Sequence, residues 1–207
     1  MPGPAPTDPQ GSTHLPELNP QQREAVEHFE GPLLVLAGAG SGKTRVLTAR
    51  SCNLIRHHGV ATFRILSVTF TNKAAREMRE RVGRALDLQT STLDIGTFHV
   101  ICGSLLRQHG ERLGLNQNFI IYDESDQLQL IRRCMAELKL DRTVYAPRNL
   151  RHRIEQWKNR GLLPENVNPS QYDRVERVAL DVYRRYEKRC LEENAVDFGD
   201  MLLLTVT

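Results

Sequence analysis

A run of consecutive residues in the first quarter of the chain has the residue types and the order needed to hold phosphate. The run is Ala37, Gly38, Ala39, Gly40, Ser41, Gly42, Lys43 and Thr44. Small residues allow successive backbone N–H groups to turn towards phosphate oxygens, and a helix that starts at such a loop adds a favourable dipole. We expect Lys43 to reach the β and γ phosphates and Thr44 to place its hydroxyl on Mg²⁺. The segment predicts a P-loop for a nucleoside triphosphate, with Ala37 where the pattern usually begins with glycine.

The segments around this loop alternate between strand and helix patterns. Apolar residues 33–37 predict a strand before the loop, and residues 42–57 predict a helix after it. Residues 65–70 and about 93–96 predict two more strands, each followed by a helix with apolar residues at helical spacing. Those apolar residues are Ala75, Met78, Val82 and Ala85 in the first helix, and Ile101 and Leu105 in the second. Such alternation predicts a parallel, doubly wound sheet.

The second half of the chain has mostly helical patterns. Three helices are marked by apolar residues, namely Leu128, Ile131, Met135 and Leu138; Leu150, Ile154 and Trp157; and Val175, Val178, Val182 and Tyr186. At the other end, residues 1–17 are rich in proline and glycine and hold few apolar groups, which predicts a disordered tail. The helical half is therefore expected to be a unit inserted into, or appended to, the sheet domain.

Basic residues are concentrated between Pro147 and Gly161, where Glu155 is the one acid. The basic residues are Arg148, Arg151, Arg153, Lys158 and Arg160. A charge run on a helix is usually a solvated face. The alternative is a surface that contacts nucleic-acid phosphates, and the sequence leaves both interpretations open.

Residues 18–25, with the sequence LNPQQREA, resemble the Q motif of superfamily 1 DNA helicases of the UvrD, PcrA and Rep type. Asn19 can cap a helix whose first position is Pro20. The resemblance makes Gln22 the residue that reads adenine, because an amide can donate and accept hydrogen bonds on the same edge. Arg45, directly after the P-loop threonine, is similar to the arginine that packs near adenine in this family.

Residues 69–78, with the sequence TFTNKAAREM, resemble motif Ia of the same family at the carboxyl end of the second predicted strand. Ligands of open parallel sheets bind at that edge. Phe70 is then expected to stack on a DNA base, with Asn72 and Lys73 holding a phosphate. The alternative is a buried phenylalanine at the end of a strand beside an ordinary helix cap.

Residues 96–99, with the sequence GTFH, resemble motif Ib, and residues 196–203, with the sequence VDFGDMLL, resemble the stretch that returns from the helical insertion to the sheet. The first resemblance implies that Thr97 and His99 contact the backbone of single-stranded DNA. In the same family the basic helix faces duplex DNA, so Arg148, Arg151 and Arg153 are further candidates for phosphate contact.

The resemblance extends from Leu18 to Leu204 and implies a RecA-like sheet domain over residues 18–105. Residues 106–207 would hold the helical insertion and the start of the return to the motor domain. The implied function is that of a 3′–5′ DNA helicase of repair or replication, using ATP and Mg²⁺. Its implied partners are single-stranded DNA and junctions of single- and double-stranded DNA, in the bacterial cytoplasm.

A P-loop ATPase needs a second acid, usually at the end of an apolar strand, to hold Mg²⁺. Asp123 and Glu124 follow the apolar residues 119–122 and superficially fit that role. We instead expect Asp123 to cap a helix, because Ser125, Asp126 and an apolar helical pattern follow it. The resemblance puts the true Asp-Glu motif beyond Thr207, so the 207-residue chain alone is expected to be inactive.

Composition limits the remaining possibilities. The formal net charge of +3 permits a nucleic-acid partner without requiring one. The apolar runs are far shorter than the ~20 residues of a membrane span, and no signal peptide pattern opens the chain. The four cysteines are too widely spaced to suggest a disulfide framework or a zinc site. We expect reduced, mostly buried thiols and a cytoplasmic protein without a membrane partner.

Two other functions remain compatible with a P-loop, because kinases, transporters and motors all contain one. The first is a small-molecule kinase, which would give no reason for the three helicase-like stretches. The second is a non-catalytic DNA-binding module. Measurement of ATP hydrolysis with and without single-stranded DNA distinguishes them.

Overall fold

The computed structural model describes residues 18–207. The predicted disordered tail, residues 1–17, lies outside this range. The chain divides into two compact units, one ending at Thr97 and the other beginning at Phe98. Both contain short parallel strands and several helices, so the chain is an α/β protein.

The first unit contains three helices and two strands among the described residues. They are α1 (Pro20–Glu27), α2 (Lys43–Arg56), β1 (Leu66–Thr69), α3 (Asn72–Leu86) and β2 (Asp94–Thr97). The two strands pair in parallel, with Leu66 opposite Asp94 and Thr69 opposite Thr97. Both strands therefore end at the same level, and α3 begins three residues after β1.

The core of the first unit lies between α2, α3 and β2. All four predicted apolar positions of α3 are buried, and Met78 and Val82 are completely enclosed. They pack with Cys52 of α2 and with Leu93 and Ile95 at β2. The helical periodicity of α3 was therefore sufficient to predict its buried face.

The strand predicted at residues 33–37 is not formed. These residues have no regular secondary structure, and Leu34 and Leu36 are 83% and 88% exposed. A strand requires a neighbour that satisfies its backbone N–H and C=O groups, and no part of residues 18–207 pairs with this segment. The apolar pattern predicted a strand, but an apolar pattern carries no information on whether a neighbouring strand is present to pair with it.

The second unit contains five helices and two strands in the part of the chain that the structure describes. They are α4 (Phe98–His109), β3 (Ile120–Tyr122), α5 (Glu124–Glu137), α6 (Pro147–Asn159), α7 (Arg174–Glu192), β4 (Ala195–Asp197) and α8 (Phe198–Val206). Strands β3 and β4 pair in parallel, with Ile120 opposite Ala195 and Tyr122 opposite Asp197. The predicted helical character of this half is confirmed, whereas neither short strand was predicted.

Two apolar clusters stabilise the second unit. The larger one joins α5, α6 and α7 through side chains that include Ile131, Ile154, Trp157 and Tyr183. The smaller one joins α4, α8, β4 and the segment before β3, and its members are Leu106, Leu115, Phe119, Val196 and Met201.

Asp123 is the N-cap of α5, as the sequence predicted. Its side chain accepts a hydrogen bond from the backbone of Asp126, and the Asp126 side chain accepts one from the backbone of Asp123. This reciprocal pair satisfies two helix N–H groups that would otherwise have no partner. Asp123 is thus engaged locally as a helix cap.

Candidate functional site

The P-loop of the first unit is closed by hydrogen bonds within the loop. The Lys43 Nζ donates to the carbonyl oxygens of Ala37 at 2.9 Å and Gly38 at 2.7 Å. The Ser41 hydroxyl also donates to the Gly38 carbonyl, at 2.7 Å. Gly40 and Gly42 have φ angles of 75° and 86°, in the left-handed region that favours glycine. The loop therefore turns sharply into α2 with its lysine folded over it.

Gln22 of α1 is held directly against this loop. Asn19 caps α1, and its backbone N–H donates to Gln22 Oε1 at 3.1 Å, which orients the amide. The other end of the amide, Nε2, donates to the Ser41 carbonyl at 3.0 Å. A methyl group on Gly42 would lie 2.9 Å from the same nitrogen. The structure thus brings Gln22 and the P-loop together.

A cavity of about 670 Å³ opens between α1, α2 and the loop. Its polar groups include Gln22, Lys43 and Arg50, and its apolar wall includes Leu33 and Val35. Thr44 and Arg45 do not line it. The size and mixture of groups are typical of a site for a small polar ligand with an apolar moiety.

Arg50 is a cavity residue that the sequence did not single out. Its guanidinium donates to the backbone carbonyl of Ala25 at 2.8 Å and to that of His28. These bonds tie α2 to the end of α1, so Arg50 fixes the relative position of two walls of the cavity. No local motif marks such a role, because both acceptors are backbone atoms more than twenty residues away.

The carboxyl ends of β1 and β2 bring three polar candidates and one aromatic together in the first unit. Phe70, directly after β1, is 95% exposed, which excludes the alternative of a buried strand-end phenylalanine. Thr97 at the end of β2 donates from its hydroxyl to Asn72 Oδ1 at 3.3 Å. Lys73 is exposed in the first turn of α3. This edge can present an aromatic face, hydrogen-bonding groups and a cation to one ligand.

The second unit has an aromatic pair at the beginnings of two helices. The rings of His99 in α4 and Phe198 in α8 meet edge to face, with centroids 5.6 Å apart. One turn later, a methyl group on Gly103 would lie 2.8 Å from Met201, so the two helices are in close contact there. Phe198 is 49% exposed and was not a sequence candidate. Its signal was an aromatic residue directly after a short apolar strand, as at Phe70.

The basic helix α6 is largely neutralised by acids. Arg151 contacts Glu124 at 3.1 Å and Glu155 at 3.6 Å, and Arg153 lies 3.9 Å from Glu176. Arg148 is exposed, with no acidic partner within ion-pair distance among the described residues. Lys158 belongs to the same basic run by sequence, but its side chain is buried.

Lys158 is the centre of a buried ionic cluster. Its Nζ lies 2.8 Å from Glu187, 2.8 Å from Asp197 and 2.5 Å from Asp200, and the side chain is 1% exposed. The Tyr186 hydroxyl completes the cluster by donating to Asp197 at 2.9 Å. We refer to these five residues as the Lys158 cluster.

Burial and charge oppose each other within the Lys158 cluster. Burial would lower the pKa of Lys158, but the three surrounding carboxylates raise it well above its ordinary value. Burial raises the pKa of Asp200 well above its usual range, against the attraction of Lys158. Burial acts in the same direction on Asp197, but Lys158 and its hydrogen bond prevail and lower the pKa of that carboxyl. The attraction of Lys158 thus opposes burial at both aspartates and prevails at Asp197.

Comparison with known proteins adds independent information. Residues 18–207 match the family described as the UvrD/REP helicase N-terminal domain. Over 94% of its length the chain is 45% identical to a probable DNA helicase II homologue of Rickettsia conorii. Over 93% of its length it is 43% identical to the ATP-dependent DNA helicase PcrA of Bacillus subtilis. The chain spans only 30% and 26% of the lengths of these two relatives. Within residues 18–207, no helix is both long and apolar enough to cross a membrane.

Proposed function

The chain belongs to the UvrD/REP helicase family, and we propose that it forms the N-terminal part of an ATP-dependent DNA helicase. The enzyme would translocate 3′ to 5′ along single-stranded DNA during repair or replication, in the bacterial cytoplasm. The observation that carries this proposal is the contact between Gln22 and the closed P-loop, accompanied in the same unit by the exposed Phe70 beside Asn72 and Thr97.

ATP would be the nucleotide bound at this site. The amides from Gly38 to Thr44 and the ammonium of Lys43 would hold the triphosphate, and the Gln22 amide would read adenine, with Arg45 beside the base. Thr44, in the first turn of α2, would ligate Mg²⁺. Hydrolysis of the bound nucleotide supplies the free energy for movement. The glycines at positive φ and the cavity of about 670 Å³ support this assignment.

The sheet domain would be RecA-like. Under this proposal, residues 18–105 are the first part of the motor domain, and residues 106–207 are the helical insertion and the beginning of the return. The exposed apolar segment at 33–37 would become a strand when a neighbouring strand pairs with it, which is consistent with the exposure of Leu34 and Leu36.

Single-stranded DNA would bind along the carboxyl ends of the strands. Phe70 offers a full ring face for stacking on a base. Asn72, Lys73 and Thr97 lie beside it and can hold phosphate or sugar oxygens. In the second unit, His99 and Phe198 form a second candidate contact, supported by their edge-to-face geometry.

Duplex DNA ahead of the motor would contact helix α6. Arg148 is the strongest candidate because it is exposed and has no acidic partner in the described part of the chain. Arg151 and Arg153 would first have to exchange their carboxylate partners for phosphates. Phosphate contacts release counterions, so their loss reduces the salt dependence of binding.

ATP hydrolysis by the full-length polypeptide, measured with and without single-stranded DNA, tests the proposal. Stimulation by DNA, and its loss in Lys43→Ala, is the expected result. DNA-independent transfer of the γ-phosphoryl group from ATP to a small-molecule acceptor would instead indicate a kinase, and absence of ATP turnover a non-catalytic module.

A further inference from the structure

The Lys158 cluster surrounds the backbone that carries Phe198. Asp197 directly precedes this phenylalanine, and Asp200 follows two residues later. Lys158 reaches both carboxylates from α6, at 2.8 Å and 2.5 Å. Its methylene stem also packs on the residue between them, because a methyl group on Gly199 would lie 3.0 Å from Lys158 Cδ. The Lys158 side chain therefore contacts Asp197, Gly199 and Asp200, which together form the start of α8.

The same two carboxylates form the N-terminal cap of α8. Asp197 accepts a hydrogen bond from the Asp200 backbone at 2.8 Å, and Asp200 accepts one from the Asp197 backbone at 3.0 Å. Each carboxylate thus divides its hydrogen-bonding capacity between the cap and Lys158. The first turn of α8 is oriented by α6 as well as by its own cap.

A cluster of this kind contributes more to geometry than to stability. Removing charged groups from water has a cost that their mutual attraction roughly offsets, so a buried ion pair is weak evidence for stabilisation. Its hydrogen bonds are directional and restrict the positions of the groups that they join. In this protein the restricted segment carries a half-exposed aromatic ring, which the apolar core does not hold.

We propose that Lys158 is a positioning residue for nucleic-acid binding, because its bonds to Asp197 and Asp200 fix Phe198 against His99. The fixed pair offers a rigid aromatic surface to a base of single-stranded DNA. A ring that is held in place before binding loses less conformational freedom when a base stacks on it. This inference rests on the proposed function, since it assumes that Phe198 contacts DNA.

The test measures the affinity of the full-length polypeptide for a fluorescent oligothymidylate by anisotropy. Phe198→Ala should lower the affinity roughly 5- to 150-fold, which corresponds to the loss of one stacked base. Lys158→Met/Glu187→Gln should produce a loss of similar size. This double change removes one cation and one anion, so it keeps the formal charge of the cluster and leaves both cap carboxylates in place.

Combination of the two changes separates positioning from simple destabilisation. If Lys158 acts through Phe198, the combined variant should bind no more weakly than Phe198→Ala alone. If Lys158 only stabilises the fold, the losses should multiply. Gly199→Ala provides a milder second variant, because its methyl group would press on the Lys158 stem at 3.0 Å and on Asp197 Oδ1 at 3.2 Å while all charges remain. It is expected to weaken DNA binding by a smaller factor than the double change. In the Phe198→Ala background it should not lower the affinity further.

Two controls complete the experiment. Lys188→Met removes an exposed lysine whose amine lies 3.8 Å from Glu192, and it should leave the affinity unchanged. Trp157, the one tryptophan in the sequence, stacks on Tyr183 beside the cluster, so its emission in the 207-residue chain reports whether each variant is folded there.

The outcomes separate the DNA contact of Phe198 from the positioning role of Lys158. An unchanged affinity in Phe198→Ala would remove the proposed DNA contact of Phe198 and the inference with it. A loss in Phe198→Ala without a loss in the folded Lys158 variants would overturn the inference alone, as would multiplicative losses.

Discussion

Replacement of Gly42 by alanine should weaken nucleotide binding more than the same replacement at Gly40. Both glycines have a left-handed backbone, with φ of 86° and 75°. A methyl group on Gly42 would lie 2.9 Å from Gln22 Nε2, whereas a methyl group on Gly40 meets no atom within 4 Å. The two variants therefore share the backbone cost and differ in the contact with Gln22.

The expected magnitudes follow from these two contributions. An alanine in the left-handed region costs about 1–2 kcal/mol relative to glycine at the same position. Gly42→Ala also displaces the Gln22 amide from the Ser41 carbonyl, a hydrogen bond whose net contribution is about 1 kcal/mol. The free loop can relax to relieve these costs, and nucleotide must then restore the binding conformation. Gly42→Ala should consequently bind ATP about fivefold more weakly than Gly40→Ala.

Titration of each full-length variant with a fluorescent ATP analogue in the presence of Mg²⁺ measures the difference. The affinities of the two glycine variants are then compared again in a Gln22→Ala background, where the Gly42 methyl group no longer meets an amide. There the penalty of Gly42→Ala should fall to that of Gly40→Ala. Equal affinities of the two glycine variants in the presence of Gln22 would refute the reasoning, because they would mean that Gln22 does not support the loop.

Three further outcomes are expected. Phe70→Ala should weaken binding of single-stranded DNA by about 1–3 kcal/mol in an anisotropy titration, while Phe63→Ala, another highly exposed phenylalanine, should not; equal losses would contradict a specific stacking role. In native chain treated with a thiol reagent, mass spectrometry should find Cys102 modified first, because the other three thiols are buried; early modification of a buried thiol would contradict the packing. The hydrogen bond from Arg133 lowers the pKa of Glu193. The pair therefore stabilises the fold at every pH above the ordinary carboxyl pKa of 4.5. This stabilisation is lost as the pH falls through the lower pKa of Glu193 in the folded state. Arg133→Met should therefore lower the melting temperature at neutral pH and progressively less in acid, and an equal loss at every pH would exclude the linkage.

Local sequence patterns predicted the features that depend on neighbouring residues. The buried face of α3 follows from the spacing of Met78 and Val82, and both side chains are fully enclosed. The cap at Asp123 follows from an acid before a helical pattern, and its partner Asp126 is three residues away. In these cases the interacting groups lie within one or two turns of helix, so their spacing is visible in the sequence.

Features that depend on distant partners were missed. Lys158 belongs by sequence to a basic helix, but its carboxylate partners Asp197 and Asp200 are 39 and 42 residues away. The apolar pattern at 33–37 predicted a strand without any information on a pairing segment. The contact of Gln22 with Ser41 spans 19 residues and was not predicted, since the resemblance to a family assigned Gln22 only to adenine. Composition and periodicity alone do not report which side chains meet across such separations.

The closed P-loop sets a threshold for its ligand. Since Lys43 already donates to the carbonyls of Ala37 and Gly38, an incoming anion must replace two charge-assisted hydrogen bonds before it gains the ammonium. A single phosphate ion offers little beyond that exchange. A chain of linked phosphates could also reach the amides at the start of α2 and so gain contacts that a single phosphate does not make. Under the proposed function, the folded-back lysine lowers the affinity for every anion alike, and the additional contacts of linked phosphates would favour a nucleoside triphosphate over free phosphate.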